Sequence, residues 1–158
     1  MIAGSGFPPV LIDWSAYARI TLTRDRPDSG RRLGRAEVDA FQDALLGDRV
    51  YVSPPFRVEA LYSARAQADF LLLADYLEGL RQADGNAETW LIAERTQSEL
   101  GHAPGVSHRV SLSDLLLASI ASQHGLGVLH YDGDFDLLAE HTSLEFESVW
   151  IAPVGSVD

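Results

Sequence analysis

The sequence predicts an α/β protein of three layers, α/β/α, with a mainly parallel central sheet. Two observations carry that expectation. Short apolar strands alternate with amphipathic helical stretches along the chain, and acidic residues recur where strand and helix meet. At 158 residues with 46% hydrophobic side chains, the chain has the size and composition of a single domain, 1–158, that buries its own core.

Pro9-Val-Leu-Ile12 is a short apolar strand ending at Asp13, and Ser15 to Ile20 continues as a helix. Asp13 thus stands at a strand-to-helix turn, where an aspartate commonly caps the helix by accepting a backbone N–H. Arg24 to Gly34, with Pro27, Asp28, Ser29 and Gly30, is a loop. It carries Arg24, Arg26, Arg31 and Arg32, which fit a solvated loop more simply than a phosphate-binding patch.

Val38, Phe41, Leu45 and Leu46 mark a helix over Arg35–Leu46 that Gly47-Asp48 ends. Arg49-Val-Tyr-Val52 is a second strand. Ser53-Pro54-Pro55 opens the next helix with an N-cap hydroxyl and prolines where a missing N–H costs little. That helix carries Glu59 at the edge of the buried face marked by Val58, Leu61 and Tyr62, and by itself Glu59 is an ordinary solvated residue. Ala68–Leu80 and Glu88–Leu100 are two more helices, adding bulk and a contact surface.

The chain is organised around the stretch from Ser111 to Asp136. Leu115, Leu116, Ala118, Ile120 and Ala121 form the apolar face of a helix, which Gly125 or Gly127 can stop with a positive φ. Val128-Leu-His-Tyr131 is a buried strand, followed by an acidic loop with Asp132, Asp134 and Asp136. Leu144 to Ile151 alternates and closes the sheet.

Charge and composition remove several classes. The net charge of -11 repels polyanions on average, so nucleic-acid binding must rest on local features. All 12 basic residues are arginine. Without lysine, the chain lacks the phosphate-pairing group of response-regulator receivers and haloacid-dehalogenase-type phosphatases, which also gather aspartates around Mg²⁺. There is no cysteine for disulfides or thiolate sites. The first nine residues lack a basic and apolar leader pattern, and no apolar run approaches the roughly 20 residues of a membrane helix, so a soluble cytoplasmic protein is expected.

Right-handed crossovers in a parallel sheet bring Asp13 and Asp132 to one carboxyl edge, and the neighbouring helices bring Glu59 and Asp114 there. Like charges crowded in a partly desolvated cleft persist only with compensation. An all-oxygen ligand set selects a hard divalent ion, Mg²⁺ or Mn²⁺, suited to phosphodiester hydrolysis. Each acid also has a plainer account. Ser111-Leu-Ser-Asp114 matches a capping box. Asp132-Gly-Asp134-Phe-Asp136 begins like an EF-hand loop, but Leu137 and Ser143 stand where that loop demands Gly and Glu. His102, His108, His124, His130 and His141 share no zinc spacing and fit core or surface roles.

The segments Leu11-Ile-Asp13-Trp-Ser15-Ala, Glu59-Ala-Leu-Tyr-Ser-Ala-Arg65, Ser113-Asp114-Leu-Leu-Leu-Ala118 and Leu129-His-Tyr-Asp132-Gly-Asp134-Phe135 resemble, in order and spacing, those of PIN-domain proteins, above all bacterial VapC-type toxins. The resemblance covers nearly the whole chain. It implies a Mg²⁺-dependent endoribonuclease (or one using Mn²⁺) acting on RNA, neutralised by a VapB-like antitoxin and forming a homodimer.

Carried over, Asp13, Glu59, Asp114 and Asp132 match the catalytic acids. Asp13, Asp114, Asp132 and Asp134 are the candidate metal ligands, and Ser15 is an accessory hydroxyl. Arg24, Arg31, Arg32, Arg65 and Arg109 are candidates for RNA contact. Trp14 and His130 depart from the family's common threonine and small hydroxyl residue at those positions. A PIN-fold interaction module without turnover and a DNA-directed nuclease are the alternatives.

Overall fold

The computed structural model describes residues 6–158. Residues 1–5, the start of the segment read above as lacking a leader, lie outside the described residues. Among the described residues, five strands form one sheet: β1 (Val10–Ile12), β2 (Val50–Val52), β3 (Arg81–Gln82), β4 (Gly127–His130) and β5 (Ser148–Trp150). Their order is β3-β2-β1-β4-β5, and every pairing is parallel.

Seven helices flank the sheet: α1 (Trp14–Asp25), α2 (Arg35–Leu46), α3 (Pro54–Tyr62), α4 (Gln67–Glu78), α5 (Ala87–His102), α6 (Leu112–His124) and α7 (Asp134–His141). The central strand shows why three layers form. Val10, Leu11 and Ile12 are at most 2% exposed, yet successive strand residues point to opposite faces, so both faces of β1 are covered.

The strand order places the site. From β1 the chain adds β2 and β3 on one side, then returns to add β4 and β5 on the other. The crevice at the carboxyl ends of β1 and β4 is the switch point where open parallel sheets hold ligands. Register pairs Ile12 with Leu129, so the two strands end level and hand over to Asp13 and to the turn carrying Asp132.

Of the two glycines expected to stop α6, Gly125 does so, at φ 65°. Gly127 serves β4 instead, where a Cβ would stand 3.1 Å from the Glu147 carbonyl oxygen and 3.3 Å from Val10 Cγ1. Four expectations need correcting. Val58 and Tyr62, expected on the buried face of α3, are 69% and 91% exposed, and Phe56 and Ala60 are buried in their place. The stretch read as an acidic loop is largely helix: Asp134 and Asp136 lie in the first turn of α7, where carboxylates complement the helix dipole. Ser53 precedes the prolines of α3 as expected, but its hydroxyl is buried without capping the helix. The third strand was not anticipated, because its two residues, Arg81 and Gln82, are polar and exposed.

Candidate metal centre

Asp13 caps α1 and faces the crevice at once. Its Oδ2 accepts the Ser15 N–H at 2.8 Å and the Ser15 hydroxyl at 2.5 Å, while its own N–H donates to the Leu129 carbonyl. Both Ser15 bonds fall on Oδ2, so the cap that Ser15 provides leaves the other carboxylate oxygen to the crevice. At 4% exposure, burial pushes the Asp13 carboxyl above its ordinary pKa. The hydrogen bonds from Ser15 and Trp14 oppose that push, and the nearby Asp132 charge adds to it.

Helix α6 delivers Asp114. The Ser111 hydroxyl caps the helix by accepting the Asp114 N–H at 3.1 Å, the expected half of a capping box. No return bond from the Asp114 carboxylate to the Ser111 N–H is formed, which leaves that carboxylate facing the crevice. Burial drives its pKa up to about 7; the Ser111 hydroxyl opposes this, and the charges of Asp13, Asp132 and Asp134 reinforce it. Asp114 from α6, Asp132 from the β4–α7 turn and Asp134 from α7 each bring an oxygen within 4.8 Å of the others. Asp132 Oδ1 also accepts the Asp134 N–H at 3.0 Å, which ties those two residues together. Burial and the Asp132 charge raise the Asp134 pKa as well.

Glu59 stands at the rim. Burial raises its pKa, the neighbouring Ser113 hydroxyl lowers it, and the Asp13 charge raises it again, which puts Glu59 in electrostatic contact with the cluster. The Ser113 oxygen itself is buried and falls short of a formed hydrogen bond. Of the acids predicted for the site, Asp114, Asp132 and Asp134 come within 4.8 Å of one another, while Asp13 and Glu59 lie outside that group and are tied to it only through charge, Asp13 raising the pKa of both Asp114 and Glu59; every donor atom in the group is a carboxylate oxygen. Such a set fits a hard divalent cation.

The arginines are more dispersed. Arg24 pairs with Asp25 and lies about 15 Å along α1 from its start. Arg31 pairs with Asp158, and Arg32 donates to the backbone carbonyls of Arg26 and Arg31. Arg65, in the turn after α3, and Arg109, just before α6, are exposed and form no ion pair among the described residues.

Sequence reasoning missed one assembly beside the acids. His130, fully buried at the end of β4, links the Asp132 peptide to Ser148, Asp136 and Trp150 through hydrogen bonds. The participating side chains come from β4, α7 and β5, and no spacing in the sequence announces their meeting. The other four histidines are exposed, and no histidine joins a metal-ligating group among the described residues.

Two hollows flank the crevice, the first largely apolar and the second mixed, with Arg24, Asp25 and Asp69 in its wall. One, of about 610 Å³, lies between α3, α5 and α6 and includes Val58, Trp90, Leu112 and Glu59. The other, of about 970 Å³, lies between α1, α2 and α4 and includes Trp14, Tyr17, Phe41, Leu72 and Tyr76. Helix α4 buries only Leu77, while Leu71 and Leu72 are 60% and 72% exposed. No helix among the described residues is long and apolar enough to cross a membrane.

The chain is similar to known proteins in sequence and in fold. The profile of the family described as PIN domain matches residues 12–141. Ribonuclease VapC18 of Mycobacterium tuberculosis is 39% identical over 133 residues, covering 84% of this chain and 90% of the relative. Ribonuclease VapC21 of the same species is 32% identical over 95 residues, covering 60% of this chain and 67% of the relative. Among solved structures, DNA-bound VapBC from Salmonella typhimurium superposes with a TM-score of 0.66 at 13% identity, over 92% of this chain and 99% of that one. The toxin–antitoxin complex VapBC-5 from Mycobacterium tuberculosis gives 0.54 at 20% identity, over 89% and 98%. At those identities the superpositions bear on the fold alone.

Proposed function

The chain belongs to the PIN-domain family, and from that membership we propose that it is a VapC-type endoribonuclease that a VapB-like antitoxin neutralises. The observation that carries this reading is the meeting of Asp114, Asp132 and Asp134 oxygens within 4.8 Å, with Asp114 pushed up to about 7. Carboxylates held that close in a half-buried crevice repel one another and favour occupation by a divalent cation.

Asp13, Asp114, Asp132 and Asp134 are the residues that would hold Mg²⁺ or Mn²⁺. When bound, such an ion supplies the positive charge that makes water a better nucleophile and offsets the charge building on a phosphodiester. The chain does the rest. Ser15 fixes the Asp13 carboxylate, Ser111 fixes the start of α6 beneath Asp114, and Glu59 adds its charge at the rim.

RNA approaches a protein of net charge -11, so local cations matter. Arg65 and Arg109 are exposed and pair with no carboxylate among the described residues, which suits them to the phosphate backbone. Arg24 and Arg31 sit in exposed ion pairs of little net worth, which phosphate can displace. The two hollows, with the exposed side chains Leu71, Leu72, Trp90 and Leu91 on α4 and α5, offer surface for an antitoxin and for a second copy of this chain.

The test is cleavage of RNA with Mg²⁺ by the parent and by Asp114→Asn. The parent is expected to cut and to stop on EDTA addition, and the variant to be silent; equal, EDTA-resistant activity in both rejects the assignment.

A further inference from the structure

We propose that His130 is a positioning residue: its imidazole, braced from β5 and α7, fixes the Asp132 peptide and so aims the carboxylates of Asp132 and Asp134. The inference rests on the reading that those carboxylates hold a divalent cation.

The hydrogen-bond directions are forced. His130 Nδ1 accepts the Asp132 N–H at 3.1 Å, so that nitrogen carries no proton. The proton is on Nε2, which donates to Ser148 Oγ at 2.6 Å. The Ser148 hydroxyl proton then goes to Asp136 Oδ1, and Asp136 Oδ2 accepts the Trp150 indole N–H at 2.9 Å. Every donor has its acceptor, and a satisfied buried chain of this kind rigidifies what it touches. With both oxygens engaged, Asp136 is also removed from the set of metal ligands.

Packing holds the ring in place. His130 lies between Phe135, at 4.9 Å between centroids, and Trp150, at 4.8 Å. An aliphatic residue could fill the same volume but would leave the Asp132 N–H without its acceptor. That N–H sits in the turn between β4 and α7, and the Asp132 carboxylate accepts the Asp134 N–H. Rotating the Asp132 peptide therefore moves both acids. Hydrogen-bonding partners behind metal ligands commonly matter by about 10- to 100-fold in metal affinity.

Two substitutions separate positioning from mere filling. In His130→Asn the side-chain carbonyl occupies the region of Nδ1 and can still accept the Asp132 N–H, although the cavity left is larger. In His130→Gln the amide reaches the region of Nε2, fills more space and does not serve that N–H. Mn²⁺ affinity of the full chain, followed by electron paramagnetic resonance, is the readout.

Positioning predicts that His130→Gln weakens Mn²⁺ binding about 10-fold or more while His130→Asn stays nearer the parent. Filling predicts the opposite order, and that result, or unchanged affinity in both, overturns the proposal. If either His130 variant fails to fold, Asp136→Asn decides. It keeps the shape but breaks one link, so weakened Mn²⁺ binding supports the proposal and parent-like binding overturns it. A parent that binds no Mn²⁺ refutes the metal reading itself and the inference with it, whereas tight parent binding with indifferent variants refutes the positioning role alone.

Discussion

The hydroxyl of Ser15 donates to Asp13 Oδ2 at 2.5 Å and accepts the Tyr131 N–H at 2.9 Å, so one oxygen ties the end of β1 to the end of β4 across the switch point. The two strands bring their acids to the same crevice, and Ser15 keeps them in step. Removing that oxygen leaves a Tyr131 N–H without its acceptor and frees the Asp13 carboxylate to rotate.

Ser15→Ala is therefore expected to cost about 1–3 kcal/mol of stability from the orphaned N–H. It should also lower RNA cleavage by roughly 10- to 100-fold, as lost outer-shell contacts do. Ser15→Thr, which keeps the hydroxyl, should recover most of both. Chemical denaturation and cleavage rates on the same preparations check this, and equal loss in the Thr and Ala variants would count against the bridging role.

Stability without metal should fall as pH rises. Asp114 has an ordinary pKa of 3.8 and is raised to about 7 in the folded state. Between those values the folded chain holds a proton that the unfolded chain has released, so the folded state is favoured at the acidic end and loses that advantage as pH climbs through about 7. Asp13, Glu59 and Asp134 are raised in the same direction and add to the trend. Thermal melts of the EDTA-treated protein from pH 4 to 8 should show it, and Asp114→Asn should flatten the curve.

Divalent cations should reverse that slope. Binding requires the ionised carboxylates, so Mn²⁺ affinity is expected to rise with pH up to about 7 and to level off above it, with protons released on binding. Adding Mn²⁺ or Mg²⁺ near neutral pH should raise Tm, by an amount that grows with the logarithm of the cation concentration once that exceeds the Kd. Calorimetry in buffers of different ionisation enthalpy reads the proton release directly.

The two apolar faces should be separable. Trp90 and Leu91 on α5 are 58% and 66% exposed, and Leu71 and Leu72 on α4 lie beside the other hollow. Replacing either pair by glutamate is expected to abolish one protein contact, self-association or antitoxin binding, and to leave the other. Light scattering and pull-down with a VapB-like partner measure the two; loss of neither contact in both variants would remove these faces from the account.

Much of this was legible in the residues themselves. Asp13 at the end of an apolar strand and Asp114 three residues after Ser111 are local patterns, and local patterns fix caps and turns. Glu59 is different: nothing about a half-buried glutamate on α3 marks it until the Asp13 charge is seen beside it. The tether from His130 to Ser148, Asp136 and Trp150 was not readable, because hydrogen bonds between side chains 12 to 18 positions apart follow from sheet order and not from spacing. The start of α7 was misread as loop because Asp-Gly-Asp is common turn chemistry, whereas here Gly133 opens a helix whose dipole welcomes the acids.

The most direct test is a crystal of the full chain soaked in millimolar Mn²⁺ and measured for anomalous scattering. A peak among the carboxylates of Asp13, Asp114, Asp132 and Asp134, absent in Asp114→Asn, is the predicted result. A saturated soak with no peak there, or with the ion held elsewhere, would contradict the claim that these distant acids share one cation.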